Sequence, residues 1–386
     1  MDTGTQRAAF RGNVAALAFG TAGLLMLGLQ PILLEQLILA GRTTLELAGV
    51  VAMAEIIAIG VGAALSNVVL PLRGLRVTAT LATLVLAAAN VLTPAALSLV
   101  SLVLARVVAG FAGGVLVWIA TQAIVRFAVP ERLAGMYLLV QSCGQAAAAF
   151  TLAMWIIPRA GMTGGFYGLA VFSLLPLALL GWLPRELSTH TSKELGLPPF
   201  TRSNVLSAAS IAFDMAVIGA LWTFLETLGR TANLPQRPVQ LTITAVLLTQ
   251  IGGAACAAWL SPRLQAKRTL LACNLALVLA GVAYLTLPSG NLAWFVLVCA
   301  LFGFLWLFMM PFHVKLAMAA DPEGRLAVQV PALQLIGSAL GPLTASLVMK
   351  SEADPTPAYW VGSAFGLAAL LLLALSGSFR QPAQPA

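Results

Sequence analysis

The sequence predicts an all-α membrane protein: twelve transmembrane helices in two pseudo-symmetric six-helix bundles. Three observations predict it. Of 386 residues, 60% are hydrophobic and only 9% are charged, against about 25% charged in an ordinary soluble domain. The apolar residues fall in long runs, and a membrane span needs about 20 of them. One polar stretch near the middle divides these runs into two similar sets. The same facts exclude other classes. So few charges cannot cover the surface of a soluble enzyme. The net charge of +8 is carried by basic residues scattered singly between apolar runs. That pattern fits Lys and Arg holding loops at a membrane surface, and no nucleic-acid partner is expected. Four cysteines and two histidines are too few for a disulfide scaffold or a histidine-rich metal site.

Backbone polar groups in lipid must pair within their own segment, so the apolar runs are read as helices. They fall at 12–38, 46–70, 77–94, 97–126, 133–157, 164–183, 203–228, 237–260, 269–287, 291–316, 326–349 and 358–377. A barrel needs alternating polar residues, and residues 84–89 and 367–375 show no alternation. The first span is too long for a signal-peptide core, so no cleavable signal is expected. Twelve spans use about 240 residues, which leaves no room for an extramembrane domain. With the N-terminus in the cytoplasm, fifteen of the 21 basic residues fall on the cytoplasmic side, Arg7, Arg73, Arg76, Lys193, Lys315 and Arg380 among them. Arg42, Arg159, Arg230, Arg237 and Lys350 fall outside, and Arg106 lies in the membrane. This bias predicts an inner or plasma membrane protein with both termini cytoplasmic.

The polar stretch 184–204 contains Arg185, Glu186, Lys193, Glu194, Pro198, Pro199 and Arg202. It divides the chain into an N-terminal bundle at 1–183, a cytoplasmic linker at 184–202 and a C-terminal bundle with a short tail at 203–386. The halves echo one another. Pro130-Glu131-Arg132-Leu133-Ala134 follows span four, and Pro322-Glu323-Gly324-Arg325-Leu326-Ala327 follows span ten. Leu70-Pro71-Leu72-Arg73-Gly74-Leu75-Arg76 follows span two, and Leu260-Ser261-Pro262-Arg263 with Lys267-Arg268 follows span eight. The offset of about 190 residues is one six-helix unit, the repeat that places a transporter's substrate site between its halves.

Over nearly its whole length the chain resembles the major facilitator superfamily. The most specific match is Leu102-x-x-x-Arg106-x-x-x-Gly110-x-x-Gly113-Gly114 in span four. It is similar to the family's fourth-helix motif, whose membrane-embedded arginine is associated with proton coupling. Arg73-Gly74-Leu75-Arg76 resembles the signature between helices two and three in degenerate form, with Pro71 where the family has Asp and Asn67 where it has Gly. The usual charge relay through that Asp is therefore not expected. The Gly-Pro antiporter motif of helix five is absent: Gly144-x-x-x-Ala148-Ala149 stands there, and Gly337-x-x-x-Gly341-Pro342 stands in the partner helix. This weakens an export reading. The resemblance implies the twelve-helix major facilitator fold, alternating access, and a cavity lined by helices one, four, seven and ten. It also implies that Arg106 and Asp214 face each other across the halves.

Ionisable groups in hydrocarbon are costly, so each needs a reason. Glu55, Arg106 and Asp214 lie about ten residues into spans two, four and seven, roughly 15 Å deep at about 1.5 Å per residue. Glu35 and Glu226 lie near the outer ends of spans one and seven. Dry burial disfavours a carboxylate's charge and a neighbouring cation favours it, so a carboxylate that alternates between these surroundings loads and releases a proton. The proton-coupling candidates are Asp214, Arg106, Glu55 and Glu35. The alternative for the buried ones is a static ion pair, and for Glu35 simple contact with water.

The substrate-binding candidates are Arg106, Gln30, Gln122, Gln145, Trp118, Trp222, Trp306 and Gln334. Pro31 after Gln30 removes a helix hydrogen bond and either exposes carbonyls to substrate or kinks the helix. The other glutamines bond substrate or link helices. The tryptophans either wall a site for an amphiphilic ligand or pack. His313 and Lys315 read as anchors at the membrane interface, and Cys143, Cys256, Cys273 and Cys299 as packing residues. Phosphate-loop, nucleophile-elbow and zinc-protease motifs are absent from the sequence.

The sequence thus predicts a secondary active transporter, not an enzyme, with no cofactor or metal. Its partners are a small organic, partly apolar molecule, the proton and the lipid bilayer, and it is expected to be a monomer. The alternatives are a proton symporter for an organic anion clamped by Arg106, a non-transporting membrane sensor or scaffold, and a membrane-embedded lipid enzyme. The last wants a clustered nucleophile or metal set that the sequence lacks.

Overall fold

The computed structural model describes residues 3–127, 130–187, 198–349 and 354–376, with side chains at all of these except 3–9, 130 and 131. Lys193, Lys350, Arg380 and residues 188–197 of the expected linker lie outside the described residues. The helices are α1 (Thr3–Gly23), α2 (Leu25–Leu39), α3 (Leu45–Val69), α4 (Leu75–Leu92), α5 (Leu99–Val125), α6 (Pro130–Thr151), α7 (Ile157–Leu174), α8 (Arg202–Thr223), α9 (Leu225–Thr231), α10 (Gln236–Leu260), α11 (Ala266–Leu285), α12 (Leu292–Ala320), α13 (Arg325–Val348) and α14 (Thr356–Leu375). A π-helical turn (Leu152–Ile156) joins α6 to α7, and a 3-10 stretch (Leu175–Trp182) continues α7.

Among the described residues, eleven helical stretches are long and apolar enough to cross a membrane. One of them, Arg132–Trp182, runs for 51 residues and makes two crossings. Its chain reverses at Gly161, where φ is 53° and ψ is −146°, a conformation open to glycine and strained for other residues. After the reversal Gly168 packs against Leu152 and Ile156, as the two arms of a hairpin must. The total is the expected twelve crossings.

The first crossing of each half is broken at the same place. Leu24 (φ −109°, ψ 6°) separates α1 from α2, and Phe224 (φ −104°, ψ 14°) separates α8 from α9. The packing repeats as well. In the N-terminal half α3 packs on α5 and α4 on α7, and in the C-terminal half α10 packs on α12 and α11 on α14. The two bundles meet along α3–α13 and α6–α10. Small residues permit the closest approaches: a Cβ at Gly114 would strike the Ile59 carbonyl of α3, and one at Gly341 the Ala216 carbonyl of α8.

One end of the bundle carries the described linker residues and the other carries Arg42. At the linker end, Arg73 and Glu186 form an isolated antiparallel bridge. Arg76 donates to the carbonyls of Leu183 at 2.6 Å and Gly181 at 2.7 Å. The degenerate signature loop therefore clasps the end of the N-terminal bundle. Leu104, Leu279 and Leu371 point out of the protein and are exposed, as lipid-facing side chains are.

Candidate functional site

The two first crossings meet along a polar seam. Pro31 has no N–H, so the carbonyl four residues earlier, at Leu27, loses its helical partner. The Trp222 indole donates to that carbonyl at 2.8 Å across the halves. Thr223 donates to Gln30 Oε1 at 3.2 Å. Nearer the Arg42 end, Glu35 accepts from both Thr227 and Arg230. Glu35 is buried, whereas Arg230 keeps 42% of its side chain exposed. Gly49 of α3 donates its N–H to Ser346 of α13 at 2.9 Å, and Arg237 of α10 reaches Met154 at 3.3 Å. These six contacts join the halves between mid-height and the Arg42 end. Pro31 therefore exposes a carbonyl, as expected, but in this conformation Trp222 occupies it.

Beneath the seam lies an aromatic corner. Trp222 stacks along Phe302 with centroids 6.3 Å apart, and Trp306 meets Trp222 edge-on at 5.4 Å. Trp222 is buried and Trp306 half-buried. The Gln30 Nε2 atom is buried with no hydrogen-bond partner among the described residues. Gln145 donates to the Leu24 carbonyl at 2.7 Å, at the break in the first crossing.

Arg106 and Asp214 do not face each other, which corrects the arrangement the resemblance implied. Arg106 is wholly buried within the N-terminal bundle. It donates to Asn90 of α4 at 2.8 Å, lies 3.5 Å from Glu55 of α3 and stacks 5.5 Å over the Phe166 ring of α7. The reason is local: Gly110 brings α5 so close to α3 that its neighbour would be the Glu55 carbonyl, which sets the Glu55 side chain beside Arg106. A guanidinium sealed in this way is not placed to clamp a substrate in this conformation. Glu55 is the partner of Arg106.

Asp214 belongs to the C-terminal bundle. Its Oδ2 lies 3.1 Å from His313 Nε2, with both side chains 0% exposed. His313 Nδ1 lies 3.2 Å from Gln334 Nε2, and the Asn274 side chain of α11 also interacts with the Asp214 carboxylate. His313 is thus not an interface anchor. Its position on α12 turns it inward to α8, while Lys315, two residues on, bonds the Ser261 and Leu264 carbonyls at the linker end. Sequence reasoning passed over His313 because nearness to a helix end outweighed the side of the helix it occupies.

Two further candidates sit inside the N-terminal bundle. Trp118 is buried in the same apolar cluster as Phe19 and Leu86, the packing alternative, and its indole nitrogen has no partner among the described residues. Gln122 donates to Asn67 at 2.9 Å and accepts from Arg126 at 2.6 Å, so it links α5 to α3. Residues that sequence reasoning missed are Asn90, Thr227 and Arg230. Arg230 had a visible signal: it follows Glu226 by one helical turn on the crossing that carries Asp214.

The comparisons with known proteins bear on the fold. The Major Facilitator Superfamily model matches residues 13–336. The nucleoside transporter NupG, as a variant, superposes with a TM-score of 0.74 at 11% identity, over 95% of this chain and 100% of that one. A D-xylose-proton symporter also gives 0.74, at 16% identity, over 96% and 97%. The inward-open xylose transporter XylE from E. coli gives 0.71 at 16% identity, over 97% of each chain. No curated relative matches the chain in sequence. The protein is a multi-pass secondary transporter of the alternating-access type, not an enzyme, and it belongs to the Major Facilitator Superfamily.

Proposed function

We propose that the protein moves a small, partly apolar organic molecule across the inner or plasma membrane and couples that movement to the proton. The observation that carries the coupling is the Asp214–His313 pair, 3.1 Å apart and wholly buried on two helices of one bundle. A carboxylate and an imidazole in contact share one proton, and water reaching the pair favours the charged form of each, so hydration draws the proton from the carboxyl and leaves it with the imidazole or the solvent. Gln334 on α13 bonds the far side of the imidazole, so a shift of α13 against α12 changes what His313 can hold. Glu55 and Arg106 form a second buried pair that tunes the N-terminal bundle without touching substrate.

Residues 1–183 and 203–386 act as the two rocking units in this reading, joined by the linker 184–202. The seam from Leu27–Trp222 to Glu35–Arg230 is the closed outer gate, with the termini cytoplasmic, so the chain faces inward. The substrate docks under the aromatic corner of Trp222, Trp306 and Phe302, with the free amide of Gln30 as its polar contact. Aromatic walls favour a ring or another amphiphilic body.

The test is transport by purified protein in liposomes under an imposed proton gradient, using compounds first found by ligand-dependent thermal shift. Asp214→Asn cannot titrate. It is expected to abolish accumulation against a gradient while it preserves ligand binding and exchange. Undiminished accumulation by Asp214→Asn would sink the proton reading. Unchanged ligand affinity in both Trp306→Ala and Gln30→Ala would remove the aromatic corner as the site.

A further inference from the structure

At the Arg42 end, beside the gate, the halves line a half-open pocket that is crossed by the Arg237–Met154 contact and lies apart from the buried pairs. Its volume is about 420 Å³, within the roughly 300–1,000 Å³ of small-molecule sites. From the N-terminal half it takes Gln36 and Leu39 of α2, Ala153 and Met154 of the π-helical turn, and Ile157 and Pro158 of α7. From the C-terminal half it takes Gln236, Arg237 and Gln240 of α10. It therefore exists as one site only while the two halves are closed at this end.

The polar groups of the pocket are unequal. Gln240 and Gln236 both donate to the buried Glu226, at 2.8 and 3.3 Å, which commits their amides to the floor. Gln36 is only 6% exposed; its Nε2 has no partner among the described residues and is closed off from the pocket in this conformation, so it meets a ligand only when the amide turns over. A buried amide N–H without an acceptor is unfavourable and is expected to be met by water or a ligand. Arg237 is exposed at the rim and, among the described residues, has the Met154 sulfur against its Nε, so its terminal nitrogens can turn to a ligand. The walls are apolar. A π-helical turn, a rare conformation that recurs at functional sites, forms one of them.

We propose that this pocket binds an amphiphilic anion, a carboxylate or phosphate head on an apolar body, with the head between Gln36 and Arg237 and the body against Leu39, Met154 and Pro158. Because the ligand bridges both halves, it favours the closed outer gate and slows transport from outside without competing at the aromatic corner. The slowing rests on the alternating-access direction proposed above; the binding does not.

The binding test uses full-length protein in nanodiscs of phosphatidylcholine, with decanoate as probe, decanol as uncharged control and thermal unfolding as readout. Decanoate is expected to raise the unfolding temperature and decanol to leave it unchanged. Gln36→Leu and Arg237→Gln should each abolish the rise, while Asp214→Asn keeps it. Without probe, Gln36→Leu should be at least as stable as the parent, since it removes an unpaired polar group. A second arm adds phosphatidylglycerol to the nanodisc. A rise there that both substitutions abolish assigns the head to a membrane lipid and supports the anion site. Equal rises with decanoate and decanol, or rises that survive both substitutions, overturn it. Loss of decanoate binding leaves the proton-coupling result untouched, so the two proposals fail separately.

Discussion

The Trp222 indole and the Leu27 carbonyl, 2.8 Å apart, are a donor and an acceptor created by different halves of the chain. Pro31 frees the carbonyl and Trp222 takes it up. A break in one helix thus becomes a point of attachment for the helix that faces it. When the halves part, that bond is lost and the carbonyl is open to water or substrate.

Trp222→Phe keeps the ring and removes the donor. It is expected to destabilise the protein by about 1–3 kcal/mol, the cost of a buried polar group left unpaired. Pro31→Ala restores an N–H that can serve Leu27 from within α2. In the Pro31→Ala background the cost of Trp222→Phe should shrink, with a coupling of about 0.5–3 kcal/mol between the sites. Thermal unfolding of the four proteins in detergent measures this. Strict additivity would mean that Trp222 serves the fold through its ring alone.

The Glu35–Arg230 pair is lopsided, and its variants should be too. Arg230 is 42% exposed and Glu35 only 1%. Arg230→Gln strands a buried carboxylate with Thr227 as its remaining partner; because Arg230 is half-exposed, the cost falls below that of breaking a fully buried pair, at about 1–3 kcal/mol. Glu35→Gln leaves an arginine that can turn to water, at a cost of about 1 kcal/mol or less. The expected order of thermal stability is parent, then Glu35→Gln, then Arg230→Gln. Both should open the gate more often. In Ser346→Cys, whose cysteine faces Gly49 across the halves, labelling from outside by an impermeant maleimide should quicken about tenfold for each 1.4 kcal/mol lost.

The fold was legible in the sequence because bilayer thickness and backbone pairing leave helices of one length as the solution for each apolar run. The site was legible in its residues and not in its pairings. Asp214, Arg106, Glu55 and Glu35 stood out as charges in apolar runs. Each found its partner within a bundle or along the seam, through rotations that hydropathy does not encode. His313 pairs with Asp214 because of the face of α12 it occupies. The breaks at Leu24 and Phe224 carry no proline or glycine at the break itself. At the first of them Gln145 bonds the Leu24 carbonyl and Gly23 packs against Gly113, tertiary contacts that hydropathy does not record.

Asp321 offers a pH test away from the membrane core. It ends α12, and its carboxylate accepts from Arg325 at 3.3 Å and from the Leu326 N–H at 3.1 Å. The hydrogen bond from Arg325 is the main cause that holds its pKa below the usual carboxylate range. A depressed folded pKa contributes stability that is present above the unfolded pKa of about 3.9 and is lost as pH falls through the folded value. Asp321→Asn should therefore unfold at a lower temperature than the parent at neutral pH, and the difference should close on acidification below pH ~4. A difference that is constant with pH would assign the effect to shape rather than charge.

Arg106 separates two mechanisms. A clamp for an organic anion must reach the substrate, so Arg106→Lys would cut transport in a folded protein, since lysine lacks the planar fork. The buried contacts with Glu55, Asn90 and Phe166 lead to another outcome. Arg106→Ala strands Glu55 without a counter-charge and should cost about 3–5 kcal/mol, enough to lower the yield of folded protein. Replacing both partners, Arg106→Gln with Glu55→Gln, removes both charges and keeps hydrogen-bonding groups in place. That double variant should fold better than Arg106→Ala and retain ligand binding at the aromatic corner. Size-exclusion profiles and ligand-dependent thermal shifts on the three variants decide the question. If the double variant folds but loses all affinity for the transported compound, Arg106 touches substrate in a state other than this one, and its burial here is one phase of the cycle.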